Sequence, residues 1–256
     1  MMSNCRFYST ENLKIGATVT LSDNAAAHAM RVLRLQINDE IILFNGDGND
    51  YTCAIISIKT SGKKSETLVI VKSAVKVTNE SPLNITLLQG ISSGDRMDYT
   101  IQKAVELGVN AIQTISTERS VVKLSAERAA KRLEHWQNVV IAACEQSGRA
   151  KIPQVAAPMG LSAWLASAML PAKGEDKAST TRILLNPIGA MRLADLQATN
   201  GNIELLIGAE GGLSKAEIDS ALLQGFKSVI LGPRILRTET AALTAISAMQ
   251  TIWGDF

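Results

Sequence analysis

The sequence predicts an α/β fold in which a mostly parallel sheet is preceded by a smaller β-rich unit. Three observations support this prediction. Apolar and β-branched runs separated by turn sequences fill residues 1–80. From Ser81-Pro82 onward, short apolar runs alternate with segments of helical periodicity, which favours parallel strands covered by helices on both faces. Two glycine-bearing loops follow the last two strand candidates.

The composition is that of an ordinary globular protein. The 256 residues include 26 Lys+Arg and 24 Asp+Glu, for a net charge of +2, and 46% are hydrophobic. A disordered or collagen-like chain is excluded. Because no apolar run is long enough for a membrane span and none follows a basic N-terminus, neither a span nor a secretory signal is predicted. The three widely spaced cysteines predict no disulfide framework, no metal site and a cytoplasmic location.

Residues 1–80 are expected to form strands joined by tight turns. The turn at 45–50 is rich in glycine, Asn and Asp, which suits a chain reversal. A short helix is expected before it, because Ala25, Ala29, Val32 and Leu33 follow helical spacing. The strand candidates are Ile41–Phe44, Tyr51–Ile58 and Thr67–Val77.

Two helices are predicted with clear ends in the second part. The first carries Met97, Ile101, Ala104 and Val105 on one face and should end at Gly108; the second spans Ala129 to Ala143 and should end near Gly148. Residues 173–181 lack periodicity and predict an exposed, mobile loop. The strand candidates are Leu83–Leu88, Ala111–Ile115, Ile183–Asn186, Ile203–Ile207 and Ser228–Leu231.

Several common catalytic motifs are missing from the sequence. There is no P-loop, no G-x-G-x-x-G, no G-x-S-x-G and no H-E-x-x-H motif. The two histidines are too few for a zinc site or a catalytic triad. His135 is expected at the surface, and for His28 packing or surface exposure is favoured over an RNA contact.

The two loops near the C-terminus are the strongest functional candidates. The first, Gly208–Leu213, leads into a helix whose Ser214 and Glu217 have capping-box spacing. The second runs from Leu231 to Ala241. Ligands of open α/β sheets bind beyond the carboxyl ends of strands, so these loops predict a pocket for a mostly apolar ligand with a few charged ends. The alternative is that both are plain strand-to-helix turns.

The same loops carry a family resemblance. Residues 207–214 (IGAEGGLS) and 231–245 (LGPRILRTETAALTA) resemble the S-adenosylmethionine-binding loops of SPOUT methyltransferases. The whole chain is similar to the bacterial small-subunit ribosomal RNA uridine N3-methyltransferases, the RsmE family. This similarity extends through residues 31–35, 43–46, 101–108, 118–120 and 142–149. Ala209 stands where the family usually has proline, so the loop lacks that ring's constraint on φ.

The resemblance implies both architecture and activity. Residues 1–78 would be a PUA-like β-barrel that binds RNA, and residues 79–256 a homodimeric SPOUT domain with a C-terminal trefoil knot, although general topology rules disfavour knots. The implied reaction is transfer of a methyl group from S-adenosylmethionine to nitrogen 3 of a uridine in 16S ribosomal RNA. The alternatives are a non-catalytic ribosome-assembly protein and a SPOUT ribose 2′-O-methyltransferase.

The resemblance also implies site residues, and some retain a second interpretation. Glu210 would accept a proton or merely brace its loop. Arg149 would contact RNA or only complement a helix end. Gly211 is expected to let the cofactor approach the backbone closely. The cofactor-binding candidates are Leu185, Gly208, Ala209, Glu210, Gly211, Gly212, Leu231, Gly232, Ile235, Leu236 and Thr240. The catalytic candidates are Arg237, Glu239 and Glu210; the RNA-binding candidates are Arg31, Arg34, Arg149 and Gln146, with Lys63 and Lys64 as further phosphate contacts.

Overall fold

The computed structural model describes residues 5–61, 64–122, 124–167, 180–189, 191–197 and 201–256. The chain divides into two compact units. The first contains the residues up to Glu80 together with Cys144–Ile152, and the second contains Ser81–Ala143 and Pro153–Phe256. The domain boundary after residue 78 stays a prediction, and the assignment of Cys144–Ile152 to the first unit is not foreseen by the sequence. The loop predicted at 173–181 lies outside the described residues except at 180 and 181, and so does Lys63.

The first unit is built on a mixed sheet. Within the described residues it has five strands in the order β1-β3-β4-β5-β2, with β1 parallel to β3 and the other pairs antiparallel. The three predicted strands are present and are longer than expected. The other two have three residues each, too short for an alternating pattern to be recognised. The strands are β1 (Arg6–Tyr8), β2 (Thr18–Thr20), β3 (Glu40–Phe44), β4 (Asn49–Ser61) and β5 (Lys64–Lys76).

The predicted short helix of this unit changes character half-way. Helix α1 (Asp23–Ala27) begins at Ser22, whose hydroxyl accepts a hydrogen bond from Ala25 N, and continues as a π-helical turn, His28–Val32. Ala25 and Ala29 are buried, but Val32 is 67% exposed. A π-turn takes more residues than an α-turn and rotates later side chains away from the packed face.

A buried arginine fixes the segment Cys144–Ile152 within the first unit. The Arg6 guanidinium pairs with Asp50 at 2.6 Å and donates to the carbonyls of Cys144 and Arg149 at 2.7 and 3.0 Å. It also lies over the Phe44 ring, 3.8 Å from its centroid. A buried charge is tolerated only when it is paired and hydrogen-bonded in this way.

The second unit contains the predicted parallel sheet. Within the described residues its seven strands are all parallel, in the order β10-β12-β9-β11-β6-β7-β8. Strands β8 and β10 have no counterpart among the predicted strands. The strands are β6 (Asn84–Gly90), β7 (Ala111–Ser116), β8 (Gln154–Gly160), β9 (Thr181–Leu185), β10 (Met191–Arg192), β11 (Asn202–Ile207) and β12 (Lys227–Ile230).

Two helices end where the sequence predicts. Helix α2 (Asp95–Glu106) is followed by Gly108 at φ +91°, and helix α3 (Ala126–Ser147) by Gly148 at φ +79°. Positive φ favours glycine, so these residues stop the helices. The remaining helices are α4 (Leu161–Ser167), a 3₁₀ turn (Leu193–Asp195), α5 (Lys215–Leu223) and α6 (Thr238–Trp253). Among the described residues, none of the helices is both long and apolar enough to cross a membrane.

The strand order decides where a ligand can bind. Strands β12, β9 and β11 are neighbours in the sheet. Because parallel strands end at the same edge, the loops that follow these three strands converge.

Candidate functional site

The converging loops enclose a cavity of about 710 Å³. Its walls are the loops after β9, β11 and β12, with Arg96 and Arg119 at the side. The prediction that the two glycine-bearing loops form one pocket is therefore confirmed. The volume lies in the range of small-molecule and cofactor sites, about 300–1,000 Å³.

Most of the predicted cofactor residues line this cavity, but Thr240 does not. Leu185, Gly208 to Gly212, Leu231, Gly232, Ile235 and Leu236 all lie in its wall. Thr240 is instead exposed on α6, and Thr238 lines the cavity. Successive helical residues are rotated by about 100°, so a side chain two positions along the helix points away from the cavity that Thr238 faces.

The first of the two loops, Gly208–Leu213, is called the glycine loop here, and it is a tight turn closed by its own backbone. Ala209 and Gly212 form an antiparallel bridge, with Gly212 N donating to Ala209 O at 2.8 Å. A Cβ atom on Gly208 would lie 2.8 Å from the carbonyl carbon of Gly212, and Gly212 itself has φ +66°. Both positions therefore require glycine. The turn is closed by these contacts with alanine at position 209.

Gly211 is constrained by the protein rather than by open pocket space. A Cβ atom there would lie 2.7 Å from the carbonyl oxygen and 2.9 Å from the Cβ of Arg119. The expectation that Gly211 makes room for a cofactor is therefore corrected, because the group that approaches it is the Arg119 backbone.

A short chain of hydrogen bonds connects the two loops. The Thr238 hydroxyl donates to Gly208 O at 2.6 Å and accepts from Gln89 Nε2 at 2.9 Å. Gln89 lies at the end of β6 and is fully buried. The first turn of α6, the glycine loop and strand β6 are thus held together.

Glu210 braces its loop. Its Oε1 accepts hydrogen bonds from Ser93 N and Ser93 Oγ, both at 2.9 Å, and from Arg96 Nη1 at 3.3 Å. Burial raises the pKa of this carboxyl, but the hydrogen bonds from the Ser93 and Glu210 N–H groups, the Ser93 hydroxyl and Arg96 together lower it below its ordinary value of 4.5. A carboxylate held ionised by donors is a poor proton acceptor, so the bracing interpretation is favoured.

Arg237 and Glu239 face the cavity from the start of α6. Arg237 is the exposed N-cap residue of this helix, and Glu239 lies in its first turn. The Oε2 atom of Glu239 is buried and has no hydrogen-bond partner among the described residues. Burying an unpaired carboxylate oxygen is costly, and a ligand N–H would satisfy it.

Comparison with known proteins identifies the family. A family described as "RNA methyltransferase domain" matches residues 79–250, and one described as "RNA methyltransferase PUA domain" matches residues 21–70. The chain belongs to this family of RNA methyltransferases. The PUA match lies within the first unit and the methyltransferase match covers most of the second.

Relatives and solved structures agree with this assignment. A relative named Ribosomal RNA small subunit methyltransferase E from Buchnera aphidicola is 34% identical over 98% of this chain and 97% of its own length. The relative of the same name from Bacillus subtilis is 29% identical over 93% of this chain and 92% of its own length.

The structure of the Neisseria gonorrhoeae enzyme of that name, bound to S-adenosyl methionine, has a TM-score of 0.86 and 45% identity over 98% of both chains. A Legionella pneumophila putative methyltransferase with bound SAM has a TM-score of 0.89 and 37% identity over all of both chains.

The candidate RNA contacts of this RNA methyltransferase differ in exposure. Arg31 and Arg34 are exposed in the PUA unit, and Gln146 is exposed as well. Arg149 is not: its side chain is 5% exposed and its Nη2 atom lies 2.7 Å from Glu80 Oε2. Arg149 therefore stabilises the first unit, and neither a phosphate contact nor a simple helix-end charge describes it. The side chain of Lys64 is outside the described set.

The two histidines of the RNA methyltransferase lie at the surface. His135, predicted there, is 49% exposed and hydrogen-bonds to Asp98 at 2.7 Å. His28 is exposed with its ring edge-on to Phe7. In the described part of the chain, no cluster of His, Cys, Asp and Glu could hold a metal ion.

Proposed function

We propose that this protein transfers the methyl group of S-adenosylmethionine to ring nitrogen 3 of a uridine in 16S ribosomal RNA. The observation that carries the proposal is the single cavity formed by the two glycine-bearing loops. The chain's membership in a family of RNA methyltransferases supports methyl transfer to RNA. The choice of uridine N3 rests on the similarity to the small-subunit methyltransferase E enzymes.

The residues of the cavity fit this methyl donor. Gly212 and Gly232 have no heavy atom within 4 Å of the place where a Cβ would stand, so their backbones face open space. Ile235 is 83% exposed although it lines the cavity, which leaves an apolar surface for a flat ring. The unpartnered Oε2 of Glu239 offers an acceptor. When bound, the donor supplies a methyl group on a positively charged sulfur, which is a reactive electrophile.

The chain's own residues would prepare the uridine. Nitrogen 3 lies on the Watson–Crick edge between two carbonyls, so the base must be unpaired and its N–H must lose a proton. In this proposal Glu239 accepts that proton, and Arg237 stabilises the negative charge that spreads over the two carbonyl oxygens; both residues line the cavity. Glu210, tied to Ser93 and Arg96, holds the loop that aligns donor and acceptor.

Several finer features belong to the same proposal. The cofactor loops form a trefoil knot, the enzyme acts as a homodimer in the cytoplasm, and the PUA unit, residues 1–78, binds RNA through Arg31 and Arg34. The knot and the homodimer rest on the similarity to the small-subunit methyltransferase E enzymes.

One experiment separates this proposal from its alternatives. The protein is incubated with labelled S-adenosylmethionine and undermethylated small ribosomal subunits, and the nucleosides are identified by mass. Label in 3-methyluridine is expected. Label on a ribose would identify a 2′-O-methyltransferase, and subunit binding without any label would identify an assembly protein.

A further inference from the structure

The rim of the cavity carries more positive charge than the methyl donor needs. Arg96, Arg119, Arg234 and Arg237 line it, against Glu210 and Glu239. Arg96 pairs with Glu210, but the other three arginines are exposed and form no ion pair with the residues that the structure describes. The donor is itself a net cation, with a sulfonium and an ammonium group against one carboxylate. The excess of arginines therefore suits a polyanion.

Arg119 is presented by a rigid turn. The Thr117 N–H donates to Ser120 Oγ at 3.2 Å, and the Ser120 N–H donates to Thr117 O at 3.1 Å. The two hydroxyl oxygens are 3.0 Å apart, and both residues are 92% buried. The turn is thus closed by its own hydrogen bonds, and Arg119 is an exposed residue within it.

A buried glutamate attaches this turn to the glycine loop. Glu217 Oε2 accepts from Ser214 N at 2.8 Å, which is the capping box of α5, while Oε1 accepts from Glu118 N at 2.8 Å. A capping box needs only the first of these bonds. The second reaches 99 positions back in the sequence and fixes the residue directly before Arg119.

The glycine loop completes the support of Arg119. The backbone of Arg119 packs against Gly211 so closely that a Cβ atom on Gly211 would not fit, and Arg119 Nη1 lies 3.5 Å from Gly211 O. The backbone of Arg119 is therefore held on two sides, whereas its guanidinium is exposed at the cavity.

We propose that Arg119 binds a backbone phosphate of the substrate RNA beside the target uridine, and that Glu217 is the positioning residue that holds it there. This inference rests on the proposed function, because it takes the cavity to be the place where the RNA base meets the methyl donor. Phosphate contacts of this kind fix the register of a nucleic acid without reading its sequence. A guanidinium is suited to them because of its planar set of donors.

The test measures RNA binding and donor binding separately. Fluorescence anisotropy with a 16S ribosomal RNA transcript, at several salt concentrations, gives the RNA Kd, and calorimetry gives the S-adenosylmethionine Kd. We expect Arg119→Ala to weaken RNA binding about tenfold and to lower the slope of log Kd against log salt by about one, with the donor Kd unchanged. The matched control is Arg128→Ala, which removes one exposed charge from α3 outside the cavity wall and should leave both constants near those of the unmodified protein.

A double-mutant cycle tests the positioning role of Glu217. Glu217→Gln removes the second charged acceptor oxygen and should raise the KM for RNA more than it lowers kcat. In the Arg119→Ala background, Glu217→Gln should change the RNA Kd by less than a factor of two, because the guanidinium that Glu217 positions is already absent. A purely structural effect on α5 would instead be additive in the two backgrounds.

Each other outcome overturns the proposal. If Arg119→Ala weakens donor binding and spares RNA binding, the guanidinium serves the donor carboxylate. If neither constant changes, Arg119 binds no substrate anion. Because RNA binding is measured without turnover, absence of 3-methyluridine with the unmodified protein would reject the proposed function and leave this test valid.

Discussion

Gly90 and Ala209 approach each other so closely that no side chain fits between them. A Cβ atom on Gly90 would lie 2.3 Å from Ala209 N and 2.6 Å from the carbonyl carbon of Gly208. The glycine loop therefore rests on the end of the interior strand β6. The loop is thus held by two elements: it packs against Gly90 of β6, and it accepts a hydrogen bond from the Thr238 hydroxyl of α6.

Gly90→Ala is expected to displace the glycine loop. The methyl group meets backbone atoms that cannot rotate away, so the free energy of unfolding should fall by about 1–3 kcal/mol, and donor affinity should fall with it. Gly160→Ala is the control, because nothing lies within 4 Å of its Cβ position. Chemical denaturation and calorimetry measure the two effects. Equal stability and donor affinity in the two variants would contradict the close contact.

Thr238→Val should weaken the connection between the loops. Valine has nearly the shape of threonine but leaves Gly208 O without its donor, at a cost of about 1–3 kcal/mol in unfolding free energy. Thr240→Val makes the same chemical change on the exposed side of α6 and should be nearly neutral. Thermal denaturation compares the pair. If Thr240→Val proved the more damaging variant, the Thr238 hydroxyl would not be the group that stabilises the loop at Gly208.

Arg237→Ala should reduce kcat by about 10²–10³-fold, the usual effect of losing a charge stabiliser, while the fold survives. Arg237→Lys keeps the positive charge and should recover part of the rate. Single-turnover methylation of undermethylated small subunits measures both, with circular dichroism to check folding. A folded Arg237→Ala variant that methylates at a near-normal rate would exclude the role in stabilising the uridine anion.

Protonation of Glu210 should destabilise the glycine loop at acid pH. Its pKa is lower in the folded protein than its ordinary value of 4.5, so the ionised form stabilises the loop. That stabilisation is complete above the ordinary value and is lost as the pH falls through the lowered one. Donor affinity of the unmodified protein should therefore not vary with pH near neutrality through Glu210, because its carboxyl stays ionised there.

Glu210→Gln should weaken donor binding at neutral pH and leave the shape of the pH–rate profile above pH 6 unchanged. Calorimetry gives the affinity, and initial rates give the profile. The loss of a limb of that profile on substitution would identify Glu210 as the proton acceptor and contradict the bracing role.

The sequence by itself determined the features that depend on neighbouring residues. The periodicity of α2 and α3, their ends at Gly108 and Gly148, and the capping box of Ser214 and Glu217 are all present in the structure. So is the single pocket formed by the two glycine-bearing loops. Parallel strands place their following loops at one edge, which favours a shared pocket, and the sheet order β12-β9-β11 brings these loops together.

Only the tertiary structure decided which groups those local elements bring together. The contact of Gly90 with Ala209, the bond from Glu118 N to Glu217, and the burial of Arg149 against Glu80 join residues that are 69 or more positions apart. No local pattern contains such pairs, because they form only when the chain packs. For the same reason the sequence proposed Thr240 as a cavity residue and Arg149 as an RNA contact, whereas packing places Thr238 and Arg119 at the cavity and buries Arg149.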